Sequence, residues 1–166
     1  MIIMSKKNIL LLFANLLLLV YLFTLPVHAI KLDESSNIVQ LNESGATKSL
    51  TPDTLKRGKT LFNAKCAQCH NGGITKNNPN IGLDVETLKL ATPSRDNLMN
   101  LVDYIKHPTS YDGVESISET HPSVNNADIF IKMKNLTDND LEAIAGYILV
   151  QATGPDQKWG VGKISY

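Results

Sequence analysis

Cysteine is scarce in this chain: 166 residues hold two, Cys66 and Cys69. That excludes a small scaffold built on several disulfides. Aromatic residues are also few, at 6%, so the chain has little of the bulk that usually fills a core. A net charge is missing as well, because 16 basic residues balance 16 acidic ones. A general nucleic-acid binder carries a basic excess, so no nucleic-acid partner is expected. Charged residues make up 19% and hydrophobic residues 43%, a mix unlike that of a disordered polymer.

What is present is unevenly spread. Ile9 to Leu25 is apolar except for Asn15 and Thr24, with Lys6 and Lys7 before it and Pro26-Val27-His28-Ala29 after it. A basic start, an apolar stretch and a small-residue end predict a signal peptide over residues 1–29, cleaved after Ala29. The alternative is an uncleaved anchor, but the run is slightly short for a span of about 20 residues, and no basic cluster follows it. Removing the leader takes two lysines and no acids, which leaves the remaining chain at minus two.

Residues 30–50 form an N-terminal extension. Ile38-Val39-Gln40-Leu41 and Thr47-Lys48-Ser49-Leu50 flank Asn42-Glu43-Ser44-Gly45, the pattern of a small hairpin. Thr51-Pro52 reads as a cap and first turn for a helix to about Ala64. Leu98, Leu101, Val102 and Ile105 predict a second helix over Asn97 to Lys106, stopped by Pro108. Residues 107–128 are rich in turn formers. Thr137 and Asp140 form a capping-box pattern for a last helix over Asp138 to Gln151, with Leu141, Ile144, Ala145, Ile148 and Leu149 as its buried stripe. The expected fold is mainly α: a helical domain over residues 51–153 and a C-terminal tail over residues 154–166.

Both cysteines fall in Cys66-Ala67-Gln68-Cys69-His70, the attachment signature of c-type haem. Two thiols three residues apart can reach the vinyl groups on one edge of a porphyrin, and His70 then falls beneath the iron as an axial ligand. A thioredoxin-like dithiol needs a βαβ setting that the pattern lacks. A zinc site needs further ligands, and no other cysteine exists. One covalent haem c is therefore expected, and it supplies the large apolar piece that the aromatics do not. The second axial position is open on spacing alone. Met99 reads as packing or surface and His107 as a solvated helix end, while Met133 and His121 stand level.

The stretch from residue 38 to the end resembles the small monohaem cytochromes c. Gly58-x-x-x-Phe62 is similar to their N-terminal helix, Ile144-x-x-Tyr147 to the C-terminal helix that crosses it, and Leu101-x-x-Tyr104-Ile105-x-x-Pro108 to their middle helix. The methionine that many relatives carry soon afterwards is absent from Val114 to Thr120. Cys66 to Lys76, Leu90-Ala91-Thr92-Pro93-Ser94-Arg95-Asp96-Asn97, His121-Pro122-Ser123, Ala127-Asp128-Ile129-Phe130 and Lys158-Trp159-Gly160 resemble a narrower family, cytochrome c-550, the extrinsic haem subunit of photosystem II.

That resemblance implies His121 as the second axial ligand opposite His70, and a low-potential iron, since methionine ligation is the arrangement that raises potential. It also implies a non-enzymatic subunit on the lumenal face of the thylakoid membrane. There it would contact the photosystem II core and other extrinsic subunits, shield the manganese–calcium centre and help retain calcium and chloride. The leader has no Arg- and Ser-rich transit stretch, which points to a plastid or cyanobacterial gene. The alternative is a soluble mobile electron carrier of the lumen or periplasm. The hairpin and the tail, neither of them needed to hold haem, are candidate docking elements, with simple packing as the other reading.

Overall fold

The computed structural model describes residues 37–154 and 159–160, together with Lys7 and Asn15. The chain divides into two units, Met1–Leu32 and Asp33–Tyr166. In the first, Lys7 and Asn15 are helical, and the rest of the expected leader lies outside the described residues, as does most of the tail. Among the described residues no helix is long and apolar enough to cross a membrane.

In the second unit, β1 (Ile38–Gln40) and β2 (Thr47–Ser49) pair antiparallel, with Val39 opposite Lys48. The connection follows from its residues. The Asn42 side chain accepts from the Ser44 N–H at 3.1 Å, and Gly45 takes a left-handed φ of 84° at no steric cost. The hairpin is part of the fold rather than an appendage. Val39 and Leu50 are buried in the core, the Met99 N–H donates to the Leu41 carbonyl, and Lys48 pairs with Glu142 at 2.6 Å.

α1 (Pro52–Lys65) starts as expected, with the Thr51 hydroxyl accepting from the Thr54 N–H and proline in the first turn. A single helical turn, α2 (Ala67–His70), follows at once. α3 (Val85–Leu90), capped by Asp84, was not foreseen in the sequence. α4 (Leu98–Lys106) begins one residue later than the apolar pattern suggested, because Asn97 is its cap; Leu98, Leu101 and Ile105 are its buried face. α5 (Asp138–Thr153) has the complete Thr137–Asp140 capping box and runs two residues past the expected end.

α1 and α5 cross at Gly58, where an added Cβ would collide with the Ala143 carbonyl oxygen. Only glycine allows that approach. One turn on, Phe62 packs on Tyr147 with ring centroids 5.5 Å apart. Trp159 meets both rings, at 5.5 Å and 5.9 Å. The tail is thus joined to the helix crossing at Trp159, so that part of it packs against the domain. The Gly160 N–H donates to the Gly72 carbonyl, which pins it beside the Cys-x-x-Cys-His turn.

Candidate haem site

Cys66 ends α1 and caps α2: its N–H donates to the Phe62 carbonyl, and its own carbonyl accepts from the Cys69 and His70 N–H groups. The tight turn puts the two thiols on one edge and His70 beside them. The two sulfurs are unbridged and half-buried. Burial pushes the Cys66 thiol up to about 11.

His70 and His121 come together from far-apart positions in the sequence. Their ring centroids lie 6.1 Å apart, with the planes tilted by 51°. His70 Nδ1 shares a hydrogen bond with the Thr75 hydroxyl at 3.1 Å, which fixes the ring and leaves Nε2 for another partner. His121 is carried by the loop after α4, where its N–H donates to the Ile117 carbonyl at 2.8 Å. Its Nδ1 is buried without a hydrogen-bond partner.

Burial, and then the charge of Lys132, lowers the pKa of His70. For His121 burial comes first and the His70 ring second, and they depress it to about 4, with the Pro122 backbone offsetting a part. Both imidazoles are therefore neutral at ordinary pH, the form that binds metal.

The two histidines, Cys66 and Cys69 line one cavity of about 260 Å³ whose walls are mainly apolar, with Phe62, Leu88, Leu101, Ile105, Ile144 and Ile148 among them. These residues fit a haem. Imidazole–metal bonds of roughly 2 Å on each side of one ion put the ring centroids about 6 Å apart, as found here. The apolar walls suit a macrocycle, and the paired thiols stand at its edge.

The other candidates fall elsewhere. His107 caps the end of α4 and is exposed, 3.0 Å from Asp103. Met99 is exposed. Met133 is buried in the core and reaches the cavity wall, so spacing ranked it well as a neighbour of the site. Sequence reasoning missed Arg95, a buried residue that also lines the cavity. No motif marks it; the only signal is a lone arginine just before an apolar helix.

One apolar cleft bounded by a Cys-x-x-Cys-His turn and closed by short helices defines a c-type cytochrome with a single haem. The pattern of the cytochrome c-550 domain matches residues 30–166. The photosystem II extrinsic protein V of Gracilaria tenuistipitata var. liui is 64% identical over 140 residues, covering 84% of this chain and 85% of that protein. Its counterpart in Trichormus variabilis is 54% identical, covering 92% and 94%. The crystal structure of cytochrome c549 superimposes with a TM-score of 0.75 at 49% identity, over 78% of this chain and 100% of that one. The chain belongs to the cytochrome c-550 family, and its cofactor is a covalently bound c-type haem.

Proposed function

We propose that this chain is an extrinsic subunit on the lumenal side of photosystem II, with its haem tethered through Cys66 and Cys69 and its iron held between His70 and His121. The observation that carries the ligand assignment is the pair of imidazoles, 6.1 Å apart between centroids, that brings His121 to His70 of the Cys-x-x-Cys-His turn. Relatives named photosystem II extrinsic protein V, at 54% to 64% identity, support the assembly.

The haem supplies a one-electron couple, low in potential because neither axial donor is methionine. The protein residues do the rest. Thr75 orients His70, the loop after α4 presents His121, and Phe62 with the aliphatic wall keeps water from the site. With His70 and His121 both holding the iron, no position would remain for oxygen or peroxide, in keeping with a stabilising and non-catalytic role. In that role the chain shields the manganese–calcium centre and helps retain calcium and chloride. We assign residues 1–29 to a cleaved leader, 30–50 to the extension, 51–153 to the haem domain and 154–166 to the tail.

Salt-washing of purified photosystem II tests the assembly. The haem-bearing chain should stay with the complex at low salt and leave at high salt, as the screening length falls from about 10 Å at 0.1 M to about 3 Å at 1 M. Its removal should raise the calcium and chloride requirement of oxygen evolution. Recovery only as a free protein at low salt contradicts the proposal and is what a mobile carrier would give.

A further inference from the structure

Arg95 is 6% exposed, and no carboxylate pairs with it in the described residues. Burying a guanidinium is costly unless its donors and its charge are used. Here Nε is buried without a partner, and the rest of the group is used in two ways. One nitrogen, Nη2, donates to the Ser110 carbonyl at 2.8 Å and to the Thr109 carbonyl at 3.2 Å. The guanidinium carbon stands 3.8 Å from the centroid of the Tyr104 ring, a stacked cation–π contact. Tyr104 in turn lies against the His121 ring, with centroids 5.2 Å apart.

These contacts grip both ends of one loop. Thr109 bridges to Ser116, and the Ser110 N–H donates to the Glu115 carbonyl, which closes the loop's base. The Ile117 N–H donates to the Pro108 carbonyl, and Ile117 then accepts from the His121 N–H. One arginine therefore anchors the backbone where the loop begins and clamps the aromatic ring that meets the histidine where it ends. His121 Nδ1 makes no hydrogen bond of good geometry, and the polar group that acts on the ring is the Pro122 backbone. A metal-binding histidine is usually oriented by a hydrogen bond from its other nitrogen, as Thr75 orients His70. At His121 the Tyr104 ring, tilted by 59° to the imidazole, stands against it.

We infer that Arg95 and Tyr104 are positioning residues for His121, limiting the turn of its ring through the tilted ring contact. This rests on the assignment of His121 as an axial ligand. Released from that contact, His121 keeps its place in the sequence but would leave the iron more often and turn more freely.

The test uses the haem-loaded chain and three variants: Tyr104→Phe, Tyr104→Leu and Arg95→Lys. Phenylalanine keeps the ring, whereas leucine removes it. Lysine keeps the charge but loses the planar stack and the fork of donors. The ferric electron paramagnetic resonance spectrum reads the mutual angle of the two imidazoles, and carbon monoxide binding to the ferrous form reads how often His121 is off. Tyr104→Leu and Arg95→Lys should shift the low-spin signal and speed carbon monoxide binding by about tenfold, the scale set by losing an aromatic or cation–π contact from a two-state balance. Tyr104→Phe should match the unaltered chain in both readouts.

Spectra and binding unchanged in Tyr104→Leu and Arg95→Lys would overturn the inference while leaving the ligand assignment intact. A lowered melting temperature without those changes would do the same, because packing alone predicts it. If leucine prevents folding, Arg95→Lys decides the matter alone. A methionine-type spectrum in the unaltered chain would overturn the ligand assignment, and this inference with it.

Discussion

His70 and His121 stand 6.1 Å apart, centroid to centroid, across a cavity that Phe62 and Ile144 help to wall. Fifty residues of chain separate the rings, and only folding brings them together. The loop that carries His121 is held by its own backbone hydrogen bonds, so removing the imidazole should spare the fold. His121→Ala is expected to keep the haem attached, to convert the ferric protein to a high-spin or misligated form, and to let the ferrous protein bind carbon monoxide. Optical spectra of the purified variant check this. A variant with an unaltered low-spin spectrum would show that another residue holds the iron.

Gly58 and Ala143 predict a severe single-residue defect at the helix crossing. A Cβ at Gly58 has nowhere to go except into the Ala143 carbonyl. Gly58→Val should separate α1 from α5 and cost at least about 2 kcal/mol by overpacking. The thermal midpoint should fall by roughly 5–10 °C, as read by circular dichroism.

How much of this was legible beforehand depended on local chemistry. Thr51, Thr137 with Asp140, and Pro108 marked helix ends through side-chain acceptors and a missing N–H, so α1, α4 and α5 could be read directly. The hairpin was legible from alternation and from Gly45. α3 was not, because six residues with one buried leucine carry no period to detect. The Cys-x-x-Cys-His site showed in the sequence by spacing alone. His121 stood level with Met133 until the resemblance favoured it, since loop geometry cannot be read from spacing. Arg95 was invisible for the same reason: its partners are backbone carbonyls and a ring, which leave no pattern. The tail reads equally as a docking element or as packing, and at Trp159 it packs on Phe62 and Tyr147.

That contact carries its own prediction. Trp159→Ala should destabilise the domain by on the order of 3 kcal/mol, the scale for truncating a large aromatic in a packed setting. Because Trp159 touches Phe62 at the cavity wall, the haem absorption should also shift slightly. Truncation after Gly154 should therefore lower the melting temperature as well as any affinity for the photosystem. A truncated chain that melts like the full one would show that the tail serves docking only.

Asp140 predicts the direction of one pH effect. Burial alone would raise its pKa, but hydrogen bonds from the Thr137 N–H and hydroxyl and the Arg57 guanidinium outweigh burial, so it lies below its ordinary value of 3.8. The carboxylate's contribution is complete above that ordinary value and is lost as pH falls through the lower folded value. Asp140→Asn should be less stable than the unaltered chain near neutral pH, and the gap should narrow between about pH 5 and pH 2. Denaturant titrations across that range measure it; a gap that widens toward acid would contradict the assignment.

The central claim is that two histidines hold the iron. Near-infrared magnetic circular dichroism of the ferric, haem-loaded chain tests it most directly, because the ligand-to-iron bands of a histidine–histidine pair and a histidine–methionine pair fall at different energies. The account predicts the histidine–histidine band alone. A histidine–methionine band would contradict it and direct attention to Met133, the buried methionine at the cavity wall.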